Sequence, residues 1–210
     1  MGHGQLSPLR PVCSRRFPLA SPAVGFTRAE LEAFRDAVVT DLVGPGLRLL
    51  FVGINPGLWT AATNTHFAHP GNRFYPALLR AGVIDRPIDR GAGMTDDDRR
   101  HLVERGIGIT NLVARATPRA SELSAAELRA GGERLELFVA KHRPRVVAVA
   151  GITAFRSAFG CPKAVMGRQP DDIAGVELWV VPNPSGLNAH ETTDSLAQAY
   201  RAPAEAAGLI

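Results

Sequence analysis

LRLLFVGINPG, residues 47–57, reads as a strand running into a tight turn. Residues 47–54 are apolar almost without interruption. A short continuous apolar run marks a strand buried on both faces, the type found in parallel sheets covered by helices. The run stops at Asn55-Pro56-Gly57, which is turn chemistry. A buried amide at the mouth of a parallel strand is costly to desolvate unless something uses it. Asn55 is therefore a candidate functional residue. VPNPSGLN, residues 181–188, repeats the device with Asn183, Pro184 and Gly186.

Outward from these two turns, strands and helices alternate. Thr27 and Glu30 form a capping-box signature before RAELEAFRDAVV, residues 28–39, which is expected to be helical. RFYPALLRAG (73–82) suits a helix with Pro76 in its first turn. TDDDRRHLVERG (95–106) has a threonine cap, acids in its first turn and a glycine stop. IGITNLV (107–113), RVVAVAGI (145–152) and VELWVVPNP (176–184) read as strands. SAAELRAGGERLELFVAKH (124–142) reads as a helix in which Gly131-Gly132 is expected to allow a bend. TAFRSAFG (153–160) is a short helix. TTDSLAQAYRAPAEAAG (192–208) opens as a helix that Pro203 is expected to interrupt. LWTAATNTHF, after the first turn, reads as a loop. The pattern predicts a mostly parallel sheet between helical layers. Ligands in such sheets bind beyond the carboxyl ends of the strands, where both Asn-Pro turns lie. If their strands are neighbours, the turns share one cleft.

The whole chain narrows the possibilities. Its 210 residues suit one domain over 27–210, preceded by a tail over 1–26. The tail holds Arg10, Arg15 and Arg16, several prolines and no acid before Glu30, so a flexible basic segment or a plain unstructured end is expected. The net charge of +4 favours a polyanionic partner, nucleic acid being the commonest. Cys13 and Cys161 cannot build a four-cysteine metal site and are expected as free thiols. The N-terminal stretch lacks the core of a signal peptide. Leu6 breaks the myristoylation pattern, and no run is long enough to span a membrane. A cytoplasmic protein with no membrane partner is expected. No G-x-G-x-x-G or P-loop follows the first strand, which argues against a nucleotide-binding enzyme of the doubly wound kind. His66 and His69 have a spacing that metals use, but the sequence places no third ligand, so no metal is expected.

Three motifs in order carry a resemblance: GINPGL (53–58), FAHPGNRFY (67–75) and NPSGLN (183–188). With RAGGERL (129–135) and SLAQAYR (195–201), the chain over roughly 44–201 resembles the mismatch-specific uracil-DNA glycosylase family. That branch includes the thymine-DNA glycosylases. The resemblance implies a three-layer α/β/α sandwich with a mostly parallel central sheet. It also implies excision of uracil, or of a damaged pyrimidine, from double-stranded, mismatched or uracil-containing DNA. The enzyme would act as a monomer, without a cofactor and without cutting the backbone. Asn55 matches the position that holds the attacking water. Phe67 matches the aromatic that stacks on the flipped base, and Ile54, Thr60 and Asn183 complete the base pocket. Leu187 matches the wedge that fills the hole in the duplex. Ser185, Gly186, Asn188 and His190 match the loop around it, which contacts the opposite guanine.

The chemistry is intelligible from these residue types. Breaking an N-glycosidic bond builds positive charge on the sugar and negative charge on the base. A positioned water then suffices as nucleophile, and the leaving base needs donors aimed at its oxygens. Asn183 stands where some related glycosylases have histidine, which implies slower turnover and a preference for poorly paired bases. The chain departs from the family pattern at Trp59 and Thr60, at Ala114 in place of aspartate, and at Ala189 and His190, where an arginine is expected. A second reading from the same residues is a non-catalytic module that recognises damaged or mismatched DNA. Such a module would have no need of Asn55.

Overall fold

The computed structural model describes Met1 and residues 25–210, so the expectations for Arg10, Cys13, Arg15 and Arg16 lie outside the described residues. The apolar runs become β1 (Leu49–Gly53), β2 (Ile107–Asn111) and β3 (Val146–Ala150), followed by a two-residue strand β4 (Gly167–Arg168) and by β5 (Glu177–Val181). The sheet order is β2-β1-β3-β5-β4. The first four in that order run parallel, and β4 pairs antiparallel at the edge. Every residue of β1, β2 and β3 is buried. This is why their sequences show no alternation: both faces of the sheet are covered.

The pleat divides the strand side chains between two cores. Leu49, Phe51, Ile107, Ile109 and Ala148 face helices α3 (Phe74–Arg80), α4 (Asp96–Glu104) and α7 (Thr193–Ala206), meeting Phe74, Tyr75, Leu78, Leu102 and Tyr200. Phe51 and Phe74 meet edge to face at 5.0 Å. Leu50, Val52, Val147, Val149 and Val180 face α5 (Ala125–His142) and α6 (Ile152–Phe159), meeting Leu135, Val139 and Phe155. The result is a helix–sheet–helix sandwich, as expected.

Several elements differ in detail. The Thr27–Glu30 capping box forms, but helix α1 covers only Arg28–Glu32. None of its residues is buried, so packing gives it no reason to continue. The chain turns at Asp36 and lies beside β2, where Leu42 exchanges backbone bonds with Ile109. LWTAAT, read as a loop, forms helix α2 (Leu58–Thr63), ended by Asn64 in the left-handed conformation. Helix α5 runs unbroken through Gly131-Gly132. The pair serves close packing: a Cβ at Gly131 would collide with the Leu112 carbonyl, and one at Gly132 would lie 2.7 Å from the Ala158 oxygen. Helix α7 continues past Pro203, which is buried within it.

The two Asn-Pro turns leave the carboxyl ends of β1 and β5, which are not neighbours, because β3 lies between them. β3 ends on Ala150 and is followed by Gly151, so little side chain fills the gap. Gly151 has φ of 119°, and a Cβ there would sit 3.3 Å from Ile54 Cδ1. The chain leaves β1 toward β2 on one side and returns to β3 on the other. The turns thus flank a topological switch point, where open α/β sheets bind ligands.

Candidate active site

A cleft of about 800 Å³ opens at these strand ends. Asn55 sits on its floor with its amide orientation fixed. Nδ2 donates to Thr117 Oγ1 (2.7 Å) and to the carbonyls of Pro56 (3.1 Å) and Arg115 (3.2 Å). The Thr117 hydroxyl spends its proton on the Arg119 carbonyl at 2.9 Å, so it meets Asn55 with a lone pair and demands an N–H there. Asn55 Oδ1 has no partner among the described residues and is not sealed from the cleft. The segment carrying these acceptors is anchored in turn. Arg115 pairs with Glu127 (2.6 Å) and Asp36 (2.9 Å). The Arg115 guanidinium, with the N–H and hydroxyl of Ser124, holds the Glu127 carboxyl down at about 2.

Asn111 closes the far side of the floor, at the carboxyl end of β2. It is only 6% exposed. Its Nδ2 lies 3.2 Å from His66 Nδ1, and its Oδ1 fills the space over the glycine at position 53, where a Cβ would clash with it. That oxygen also has no partner among the described residues and borders the cleft. His66 is 2% exposed, and its Nε2 is 3.0 Å from the Thr40 carbonyl. Burial pushes its pKa below the ordinary imidazole value. The next residue, Phe67, has φ of 56°, an uncommon conformation for a bulky side chain. Its ring stacks on Phe74 with centroids 4.1 Å apart and borders the cleft. The Tyr75 hydroxyl donates to the His66 carbonyl at 2.8 Å and holds this lip in place.

The opposite lip is the loop after β5. Asn183 Oδ1 accepts the Ser185 N–H at 3.0 Å, which leaves its Nδ2 uncommitted at the cleft wall. The Asn188 side chain is used inside the loop, donating to the Asn183 carbonyl at 3.1 Å. Arg73 ties the lips together. Its guanidinium donates to the carbonyls of Ser185 (2.8 Å), Asn188 (2.7 Å) and Glu191. Gly186 packs on the other lip so closely that a Cβ would lie 2.6 Å from the Gly71 oxygen. Leu187 projects from the loop tip, 87% exposed. The Tyr200 hydroxyl donates to the Pro182 carbonyl at 3.0 Å, beneath the turn.

The model of the uracil DNA glycosylase superfamily matches residues 40–204. The chain belongs to that superfamily. Membership implies a DNA glycosylase, with DNA as the partner and uracil as the base concerned. The solution NMR structure of a candidate uracil DNA glycosylase from Methanosarcina acetivorans superposes with a TM-score of 0.54 at 16% identity. The match covers 79% of this chain and 96% of that one, and it supports the same uracil DNA glycosylase-like fold.

Within that superfamily frame, the structure gathers Ile54, Asn55, Thr60, Phe67, Asn183, Ser185, Gly186, Leu187 and Asn188 around one cleft. His190 is exposed and lies outside the lining. The Trp59 indole turns away: its Nε1 donates to the Gly91 carbonyl at 3.1 Å and its ring packs on Phe26. Ala114 and Ala189 do not reach the cleft lining. Sequence reasoning passed over Asn111 and Thr117. Asn111 ends a strand by the same rule that singled out Asn55, but no turn residues follow it. Thr117 precedes a proline in a stretch with no regular pattern. Among the described residues no cluster of three or more metal-ligating side chains occurs, and no helix is long and apolar enough to cross a membrane.

Proposed function

We propose that this chain is a monofunctional, mismatch-specific uracil-DNA glycosylase of the branch that includes the thymine-DNA glycosylases. The carrying observation is the set of three asparagines, each with one amide end committed to protein and the other turned to the cleft. Asn55 offers an acceptor, Asn111 an acceptor and Asn183 a donor. Among the described residues, the lining contains no carboxylate and no lysine. A two-carboxylate route to glycoside hydrolysis therefore has no residues to run on. With no lysine, no amine stands ready to trap the sugar and cut the strand.

In this reading the flipped uracil lies against Phe67. Asn55 Oδ1 accepts a hydrogen from the attacking water and aligns its oxygen on C1′. The C1′–N1 bond breaks, and its electron pair leaves with the base. Asn183 Nδ2 donates toward an oxygen of the base as charge gathers there. Water oxygen bonds C1′ and its proton passes to solvent, because an amide is too weak a base to keep it. Asn111 reads the Watson–Crick edge. Leu187 fills the space in the duplex and offsets part of the few kcal/mol that unstacking costs. A G·U wobble opens more readily than U·A, which favours the mismatch.

Single-turnover release from U·G, U·A and T·G duplexes tests the reading. U·G should be processed fastest, U·A more slowly and T·G slowest, with no change on adding a chelator. Tight binding of U·G without release would instead favour the non-catalytic module.

A further inference from the structure

We infer that His66 is a positioning residue that sets which end of the Asn111 amide faces the base, and thereby makes the cleft read uracil rather than cytosine. The inference rests on the proposed function above. Three polar groups stand in a row behind the cleft floor. The Thr40 carbonyl can only accept, so His66 Nε2 at 3.0 Å must carry a proton. Burial keeps the imidazole neutral, so Nδ1 is a bare lone pair. The amide atom 3.2 Å from that lone pair must then be the nitrogen of Asn111, which turns Oδ1 over the glycine at 53 and into the cleft. The sequence carbonyl–imidazole–amide leaves one consistent proton arrangement.

Orientation decides chemistry. An acceptor in the cleft, flanked by the second Nδ2 hydrogen, complements the N3–H and O4 of uracil. Cytosine presents a bare N3 and an amino group, so Oδ1 would face a lone pair. A site built to hydrogen-bond one edge rejects the other strongly, because its own buried groups are left unpaired. A second proton on His66 would make Nδ1 a donor, draw Oδ1 toward it and turn the NH2 end into the cleft. The charges that bear on the ring oppose each other: Asp41 favours its cation and Arg99 disfavours it. Asp41 is itself engaged by the Thr110 hydroxyl at 2.6 Å, and Arg99 by the Asn64 carbonyl at 2.8 Å.

Two variants separate positioning from bulk. Glutamine can donate to Thr40 and accept from Asn111, as neutral histidine does, but it does not titrate. Leucine fills space and sets nothing. His66→Leu should lose about tenfold in single-turnover uracil release, the scale of one oriented hydrogen bond, and His66→Gln should recover most of it. Wild-type release should hold through the ordinary imidazole value of 6.5 and fall only at lower pH, as the buried ring takes up its second proton, and His66→Gln should lack that fall. Nitrogen-15 NMR of the full-length protein should show His66 protonated at Nε2 alone. An Nδ1-protonated ring, or a leucine variant with wild-type rate and wild-type acid limb, would overturn the inference. A wild type that releases no uracil while the ring shows the Nε2 form would overturn the glycosylase reading and leave the lock intact.

Discussion

Asn55 and Asn183 mirror each other at the residue level. One commits its nitrogen and offers oxygen, and the other commits oxygen and offers nitrogen. Water and a departing base need those opposite ends. We propose Thr60, 6% exposed at the cleft wall, as the barrier to thymine, because its β-branched side chain cannot swing aside. One methyl group in a pocket is worth about 1–3 kcal/mol. Thr60→Ala should therefore raise thymine release from T·G at least about tenfold, read by single-turnover assay. No gain would remove Thr60 from the specificity wall, and Trp59 would not replace it, since its indole is held elsewhere by Gly91. The two turn asparagines were legible in the sequence because Pro and Gly frame them at strand ends. Asn111 was not, because its meaning comes from His66, 45 positions away in the chain.

Among the elements, the strands were legible and their helices nearly so. Burial on both faces writes apolar runs that no other structure explains. Helix α2 was hidden because six residues show no period, and its position is set by the turn before it. The Gly131-Gly132 pair looked like a bend and proves to be a contact. Its sign is testable. Alanine at an exposed helical glycine gains about 1 kcal/mol, whereas forcing a methyl into a packed interface costs about 1–3 kcal/mol. The Leu112 carbonyl leaves no room at Gly131, so Gly131→Ala should lower the urea midpoint with an unchanged slope. A higher midpoint would show that helix propensity outweighs the contact.

For the whole molecule, the sequence told which strand ends carry the chemistry but not how far apart they lie. β3 between β1 and β5, ending on Ala150 with Gly151 after it, gives the cleft its width. That order is a property of crossovers, which local patterns do not encode. The buried His66 couples the site to overall stability. Its folded pKa is lowered, so the unfolded chain takes up the proton first as pH falls. Stability is complete above about 6.5 and is lost as pH drops from there toward the folded value. The protein should melt at a lower temperature at about pH 5.5 than at about pH 7.5, and His66→Gln should narrow the gap. An equal gap in both proteins would place the acid sensitivity in other groups.

The proposed role of Asn55, positioning the water that displaces uracil, is tested most directly by single-turnover excision from a U·G duplex with Asn55→Ala beside wild type, with binding measured on the same DNA. The Asn55→Ala rate should be at least about a hundredfold lower, the cost of removing one positioned polar group, with binding to the duplex retained. Release by Asn55→Ala at the wild-type rate would contradict it.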